Sequence, residues 1–205
     1  MNIRNQVLNC VLVILIISTL ISCSAIPEVR ITYRLPGKSS EVSELRVFLD
    51  FDDSRTSKNI FGENARGEYK GFPGNFTIFF SSNTDDVIRR GIFNIRNLFL
   101  NTMKMRLENQ GIIIADNESM SANKLIIALK EFSLDLSERK WIVKITYEAK
   151  ILINKKERAK QTISAQGERL KLINHKQADI LISDIFTDSI NQLNVVNLMR
   201  EAELI

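Results

Sequence analysis

An α+β fold, with a mostly antiparallel sheet and two helices packed on one of its faces, is what this sequence predicts, and three observations carry it. In residues 140–153, Trp141, Val143, Ile145, Tyr147, Ala149, Ile151 and Ile153 share one parity. Lys140, Lys144, Thr146, Glu148 and Lys150 share the other, the period of a strand with one wet face. Between 87 and 107, apolar residues recur at helical spacing instead. Turn-type residues separate such runs often enough to predict the order β-β-α-β-β-β-α in one domain over residues 44–205.

Residues 23–43 hold Pro27, Pro36, Gly37, Ser39 and Ser40, the composition of a linker. Val29, Ile31, Tyr33 and Leu35 alternate within it, so a short strand inside the linker is the other reading. Residues 44–51 alternate more firmly, with Leu45, Val47, Leu49 and Phe51 opposite Glu44, Arg46 and Asp50, and predict the first core strand. The stretch from Gly62 to Gly74, with Gly67, Gly71 and Pro73, reads as a loop or loose hairpin. Phe76, Ile78 and Phe80 then restore a strand.

A helix is predicted from a cap at Asn83 or Thr84, with Asp85 and Asp86 at its positive end, to about Asn109, stopping at Gly111. Val87, Ile88, Ile92, Ile95, Leu98, Phe99, Met103 and Met105 form its sheet-facing stripe. A second set, Phe93, Leu100 and Leu107, falls on another side and reads either as contact with another helix of the same domain or as a partner or ligand surface. Ile112 to Ala115 is a short strand or turn, and Leu125 to Leu136 a strand. Turns at Ser137-Glu138-Arg139 and Asn154-Lys155-Lys156 make a meander that returns over Arg158 to Lys171, with Ile163 and Ala165 inward. A last helix starts near Asn174 and buries Ala178, Leu181, Ile182, Ile185 and Leu193; Val195 to Leu204 extends it or forms its own.

Little in this pattern points to catalysis. His175 is the one histidine, too few for a zinc site and without the setting of an activated serine. Asp50, Asp52 and Asp53 begin like a calcium loop, but Arg55 takes the glycine position and Phe61 the closing glutamate; a strand-end turn balanced by Arg55 is the better reading. No catalytic residue, metal or cofactor is expected. Lys140, Lys144 and Lys150, joined by Arg158 and Lys160, make the wet face of the sheet basic. That face is either simply solvated or touches anionic head groups or an acidic partner. Across the chain, 28 basic residues against 24 acidic ones is too even a balance for a nucleic-acid binder.

The amino terminus assigns a place. Asn2, Arg4 and Asn5 precede an apolar run from Val7 to Ile21. At about 15 residues the run is shorter than the ~20 of a spanning helix and reads as a secretory signal. Leu20-Ile21-Ser22-Cys23 closes it and resembles a bacterial lipobox. The resemblance implies cleavage between Ser22 and Cys23, diacylglyceryl and N-acyl lipid on Cys23, a removed signal over 1–22 and a lipidated tether over 23–43. Cys10 would leave with the signal and the Cys23 sulfur would carry lipid, which excludes an intrachain disulfide. Ser24 is not the Asp that tends to retain lipoproteins at the inner membrane, so the periplasmic side of the outer membrane is expected.

The mature region also resembles the YajG family of bacterial lipoproteins. The carrying residues are the lipobox, a strand running into Asp53-Ser54-Arg55 with Gly62 beyond, Leu107-Glu108-Asn109-Gln110-Gly111-Ile112-Ile113 at the helix exit, the meander, and the closing helix. Tyr33-Arg34-Leu35-Pro36 is similar to a motif of auxiliary lipoproteins in envelope lipid-transport systems, and the element order resembles the lipopolysaccharide-assembly lipoprotein. These resemblances imply a non-enzymatic lipoprotein, anchored to the membrane by lipid, that binds an envelope protein or lipid as an accessory component of a periplasmic or outer-membrane assembly. The alternative they imply is a lipid-binding auxiliary subunit of a lipid or lipopolysaccharide transport system.

Overall fold

A computed structural model describes residues 27–38, 45–81, 87–172 and 176–205. The alternation at the start of the chain does form a strand, β1 (Val29–Arg34), with Val29, Ile31 and Tyr33 wholly buried. The segment read as a tether over 23–43 therefore contains a core strand. Then come β2 (Arg46–Asp53), β3 (Phe76–Ser81), β4 (Val87–Phe93), α1 (Ile95–Glu108) and a two-residue β5 (Ile113–Ile114). A single 3₁₀ turn precedes β6 (Asn123–Ser137), β7 (Lys140–Ile153), β8 (Lys156–Leu170), α2 (Lys176–Gln192) and α3 (Val195–Glu201).

The class is α+β as expected, with α1 and the α2–α3 pair packed against strands, but the strands divide into two sheets. The larger has the order β5-β2-β6-β7-β8 and the smaller β1-β3-β4. In the larger, β6, β7 and β8 are antiparallel while β2 runs parallel to both β5 and β6. In the smaller, β1 and β3 are parallel and β3 and β4 antiparallel. Periodicity places side chains on faces but says nothing of which strand pairs with which, so this division was not visible in it.

The meander follows its pattern closely. Trp141, Val143, Ile145, Tyr147, Ala149 and Ile151 of β7 are all buried, and Ala159, Ile163 and Ala165 of β8 join them. Its two tight turns hold Glu138 and Arg139 (φ 47° and 66°) and Asn154 and Lys155 (φ 50° and 66°), the mirror-image turn that matches strand twist. Phe99 of α1 sits at the centre of the core, 5.4–6.1 Å from the rings of Phe51, Phe132, Tyr147 and Phe186. Offset and edge contacts of this kind add to the area they bury.

One element differs in kind from its prediction. Residues 87–93 form strand β4, and α1 begins only at Ile95, where the Asn94 side chain accepts the Asn97 N–H at 2.9 Å. Val87, Ile88 and Ile92 are β-branched and suit a strand. Gly91, with φ 145° beside a register shift in the β3–β4 pairing, is a conformation a helix does not contain. The expected cap at Asn83 or Thr84 lies outside the described residues. At the far end, Gly111 (φ 89°) ends the helix as predicted. Val195–Glu201 is a separate helix, capped by Asn194, whose Oδ1 accepts the Asn197 N–H.

Candidate functional site

Ser22, Cys23 and His175 lie outside the described residues. Phe93, Leu100 and Leu107 do not make one surface. Phe93 is on β4 opposite Phe76, Leu100 is half-buried against the core, and Leu107 is fully buried. Once α1 begins at Ile95, its buried face is Leu98, Phe99, Thr102, Met103 and Leu107, so of the two readings of the second set the partner or ligand surface is corrected: these residues pack within the domain.

The basic residues of the meander stay on its wet face but are threaded with acid. Lys140 Nζ donates to Glu168 at 2.6 Å. Glu148 collects Lys130, Lys150 and Lys160 at 3.4, 3.0 and 3.8 Å, and its bonds to Lys150 first of all hold its carboxyl below the usual range. Among these lysines Lys144 has no ion pair with a described residue. With three lysines sharing one carboxylate, the face still holds more cations than acids.

The three aspartates are likewise occupied. Asp50 accepts Arg96 and Lys124, and Asp52 accepts the Ser54 hydroxyl. Asp53 grips Arg55 in a two-pronged pair, both contacts 2.9 Å, with Lys58 at 3.1 Å. Its hydrogen bonds to Arg55 chiefly hold the Asp53 carboxyl down at about 2, although partial burial opposes them. This clasp turns the chain from β2 into the glycine-containing segment, which is packed rather than loose. Phe61 bridges Leu134, and Gly62 N–H donates to the Leu134 carbonyl at 3.0 Å, so the chain covers the edge of β6 beyond the end of β2. Phe61 stacks on Tyr69 at 4.4 Å, and Tyr69 meets Trp141 edge-on. A Cβ at Gly62 would sit 2.0 Å from Asp135, which explains glycine there.

The small sheet holds the most distinctive arrangement. On α2, Asp179, Ser183, Thr187 and Asn191 recur at every fourth position and share one face. That face lies along the outer edge of β1 and replaces a neighbouring strand. The N–H groups of Arg30, Thr32 and Arg34 donate to Asp179 Oδ1 (3.2 Å), Ser183 Oγ (2.9 Å) and Thr187 Oγ1 (3.2 Å). In return Thr187 Oγ1 donates to the Thr32 carbonyl (3.3 Å) and Asn191 Nδ2 to that of Arg34 (3.1 Å). Asn191 Oδ1 also accepts the buried Tyr33 hydroxyl at 2.8 Å. Burial pushes the Asp179 carboxyl up to about 6 despite its bond from Arg30 N–H.

Between this helix and the outer face of the small sheet runs an open groove of about 850 Å³. Thr32, Phe79 and Val87 form its floor, and Ile180 is an apolar wall on α2. Its arginines are already engaged: Arg30 with Glu28 at 3.0 Å, Arg34 with Asp184 at 2.8 Å. The floor continues to β4, where Val87 and Ile92 are exposed on the same face as Arg89, while Ile88 is exposed on the other. The helical ladder and this bare strand both went unpredicted. A four-residue repeat of short polar side chains in residues 179–191 was the available signal for the first.

A two-sheet α+β domain with one edge sealed by a helix and the other bare is therefore the class of protein these elements define. The sequence matches no family model and no curated protein. In structure it is similar to protein XCC0632 from Xanthomonas campestris, of family DUF330, at a TM-score of 0.56 and 15% identity over 86% of this chain and 97% of that one. Looser likenesses are to a minor lipoprotein from Acinetobacter baumannii (TM-score 0.37, 11% identity, 80% and 96% covered) and lipoprotein GNA1162 from Neisseria meningitidis (0.30, 11%, 72% and 99%). The Xanthomonas protein shares the fold.

Proposed function

We propose that this chain is a lipid-anchored lipoprotein of a Gram-negative cell envelope, acting without catalysis as an accessory component of a periplasmic or outer-membrane assembly. The observation that carries the reading is Leu20-Ile21-Ser22-Cys23 closing a short apolar run. Lipid on Cys23 is the attachment in this reading; among the described residues no helix is long and apolar enough to cross a membrane. Ser24 favours the outer membrane. The YajG resemblance agrees with such a location. Nucleic acid has no place in this reading, and the lipid on Cys23 is the only added group it requires.

The apolar floor of the groove favours a second reading, a lipid-binding auxiliary subunit of an envelope transport system. Against it, the groove is open to solvent and its arginines are held by the chain's own acids, so an acyl chain would be poorly sheltered and an anionic head group would have to compete. The accessory reading is preferred. Substituting Cys23→Ser should abolish metabolic palmitate labelling, and persistent label would overturn the anchor. Co-purifying lipid in stoichiometric amount would favour the carrier.

A further inference from the structure

The outer edges of the sheets are finished in different ways. α2 side chains satisfy the edge of β1. Lys156, Glu157, Arg158, Lys160 and Glu168 stud β8 with charge, and β5 is two residues long. These are ordinary protections against unwanted pairing. β4 has no covering helix among the described residues, and its charges, Arg89 and Arg90, and the bulge beside Gly91 leave its apolar side chains uncovered. It is seven residues long, ends the β1-β3-β4 order, and exposes Val87 (56%), Ile88 (52%) and Ile92 (59%).

The register shows exposed apolar side chains on both faces of β4, although Phe93 at its far end packs against the core. Val87 and Ile92 lie opposite Ser81 and Thr77 on the outer side, whereas Ile88 lies opposite Phe80 on the side of the core. Within the strand are two cations, Arg89 and Arg90, and no acid; Arg90 rests 5.9 Å over the Phe80 ring. Asp85 and Asp86, which precede it in sequence, are outside the described residues.

We infer that β4 is a docking edge for an extended segment of a partner protein, rich in alternating acidic and apolar residues, which adds as a fourth strand to the small sheet. Such a strand satisfies the open backbone edge, covers apolar side chains on both faces, and sets carboxylates against Arg89 and Arg90. A bilayer surface would meet one face and leave the edge without backbone partners, and a second copy of β4 would bring arginines toward arginines. This inference rests on the accessory-component reading and names the partner's chemistry.

The test uses full-length lipidated protein in detergent and two fluorescent heptapeptides, one alternating valine with aspartate and one alternating valine with lysine. The aspartate peptide should bind about tenfold more tightly and slow hydrogen exchange at the β4 amides. Replacing both arginines, Arg89→Glu with Arg90→Glu, should reverse the preference, with the urea midpoint lowered only by the loss of the Arg90–Phe80 contact. The milder pair Arg89→Gln and Arg90→Gln should bring the two peptides to equal affinity. Equal binding by the unaltered protein, or binding without protection of β4, overturns the inference. So does protection of β4 by phosphatidylglycerol vesicles alone, which assigns the edge to the membrane, or by raised protein concentration alone, which assigns it to a second copy. Palmitate labelling reads the anchor independently, so loss of docking and loss of the lipoprotein reading are separate results.

Discussion

β1 and β4 flank the same central strand, β3, yet one is sealed and the other is not. The open side of β1 is met by Asp179, Ser183, Thr187 and Asn191, side chains spaced so that each turn of α2 answers one repeat of the strand. β4 receives nothing comparable from the described residues and carries exposed isoleucines. The larger sheet repeats the contrast on a smaller scale, for where β2 ends the chain folds back and covers β6 with residues 60–62. A chain that closes two edges by such different means has the devices to close a third. Leaving β4 bare is where the molecule departs from its own habit.

The largest expected effect comes from unfastening a sealed edge. Arg55 is 7% exposed and depends on Asp53, so Asp53→Ala strands a buried guanidinium and should cost about 3–5 kcal/mol in urea denaturation. A loss below about 1 kcal/mol would mean that the clasp does not hold the covering segment in place. Next comes the helical ladder. Ser183→Ala with Thr187→Ala removes the acceptors of two β1 amides and should cost about 2 kcal/mol. It should also convert β1 into an edge of the β4 kind, seen as concentration-dependent light scattering; a variant that stays monodisperse would show that the seal serves stability alone.

The third effect lies in pH. Asp179, raised from 3.8 to about 6 chiefly by burial, holds its proton more tightly in the folded chain. Its contribution is therefore complete below about pH 4 and is lost as pH rises through about 6. Asp179→Asn keeps an acceptor for Arg30 N–H and should flatten the urea midpoint between those values. Asp53 has the opposite sign, its contribution present above 3.8 and lost as pH falls toward about 2, so the two titrations do not overlap.

Much of the fold was legible from side-chain period alone. β7 could be read residue by residue because a strand with one wet face imposes strict alternation, and the Asp53–Arg55 turn followed from opposite charges two positions apart. The boundary between β4 and α1 was not legible. Val87, Ile88 and Ile92 extend the α1 pattern at helical spacing, and only the backbone at Gly91 and the cap at Asn94 separate strand from helix. The candidate site was hidden more deeply, because Asp, Ser, Thr and Asn along a helix look like an ordinary solvated stripe until a strand edge is placed beside them. Likewise, the packing of Phe61 and Tyr69 under Trp141 depends on partners distant in sequence.

The ladder along β1 joins residues about 150 positions apart, Arg30 to Asp179 being separated by 149 and Arg34 to Asn191 by 157. In time, this means the first strand to emerge is among the last to be secured. Until α2 has been synthesised and has docked, β1 has no helix to complete its edge, and contacts of such long range form slowly. β1 thus stays unsealed through most of synthesis, and the small sheet gains its finished edge only when α2 docks.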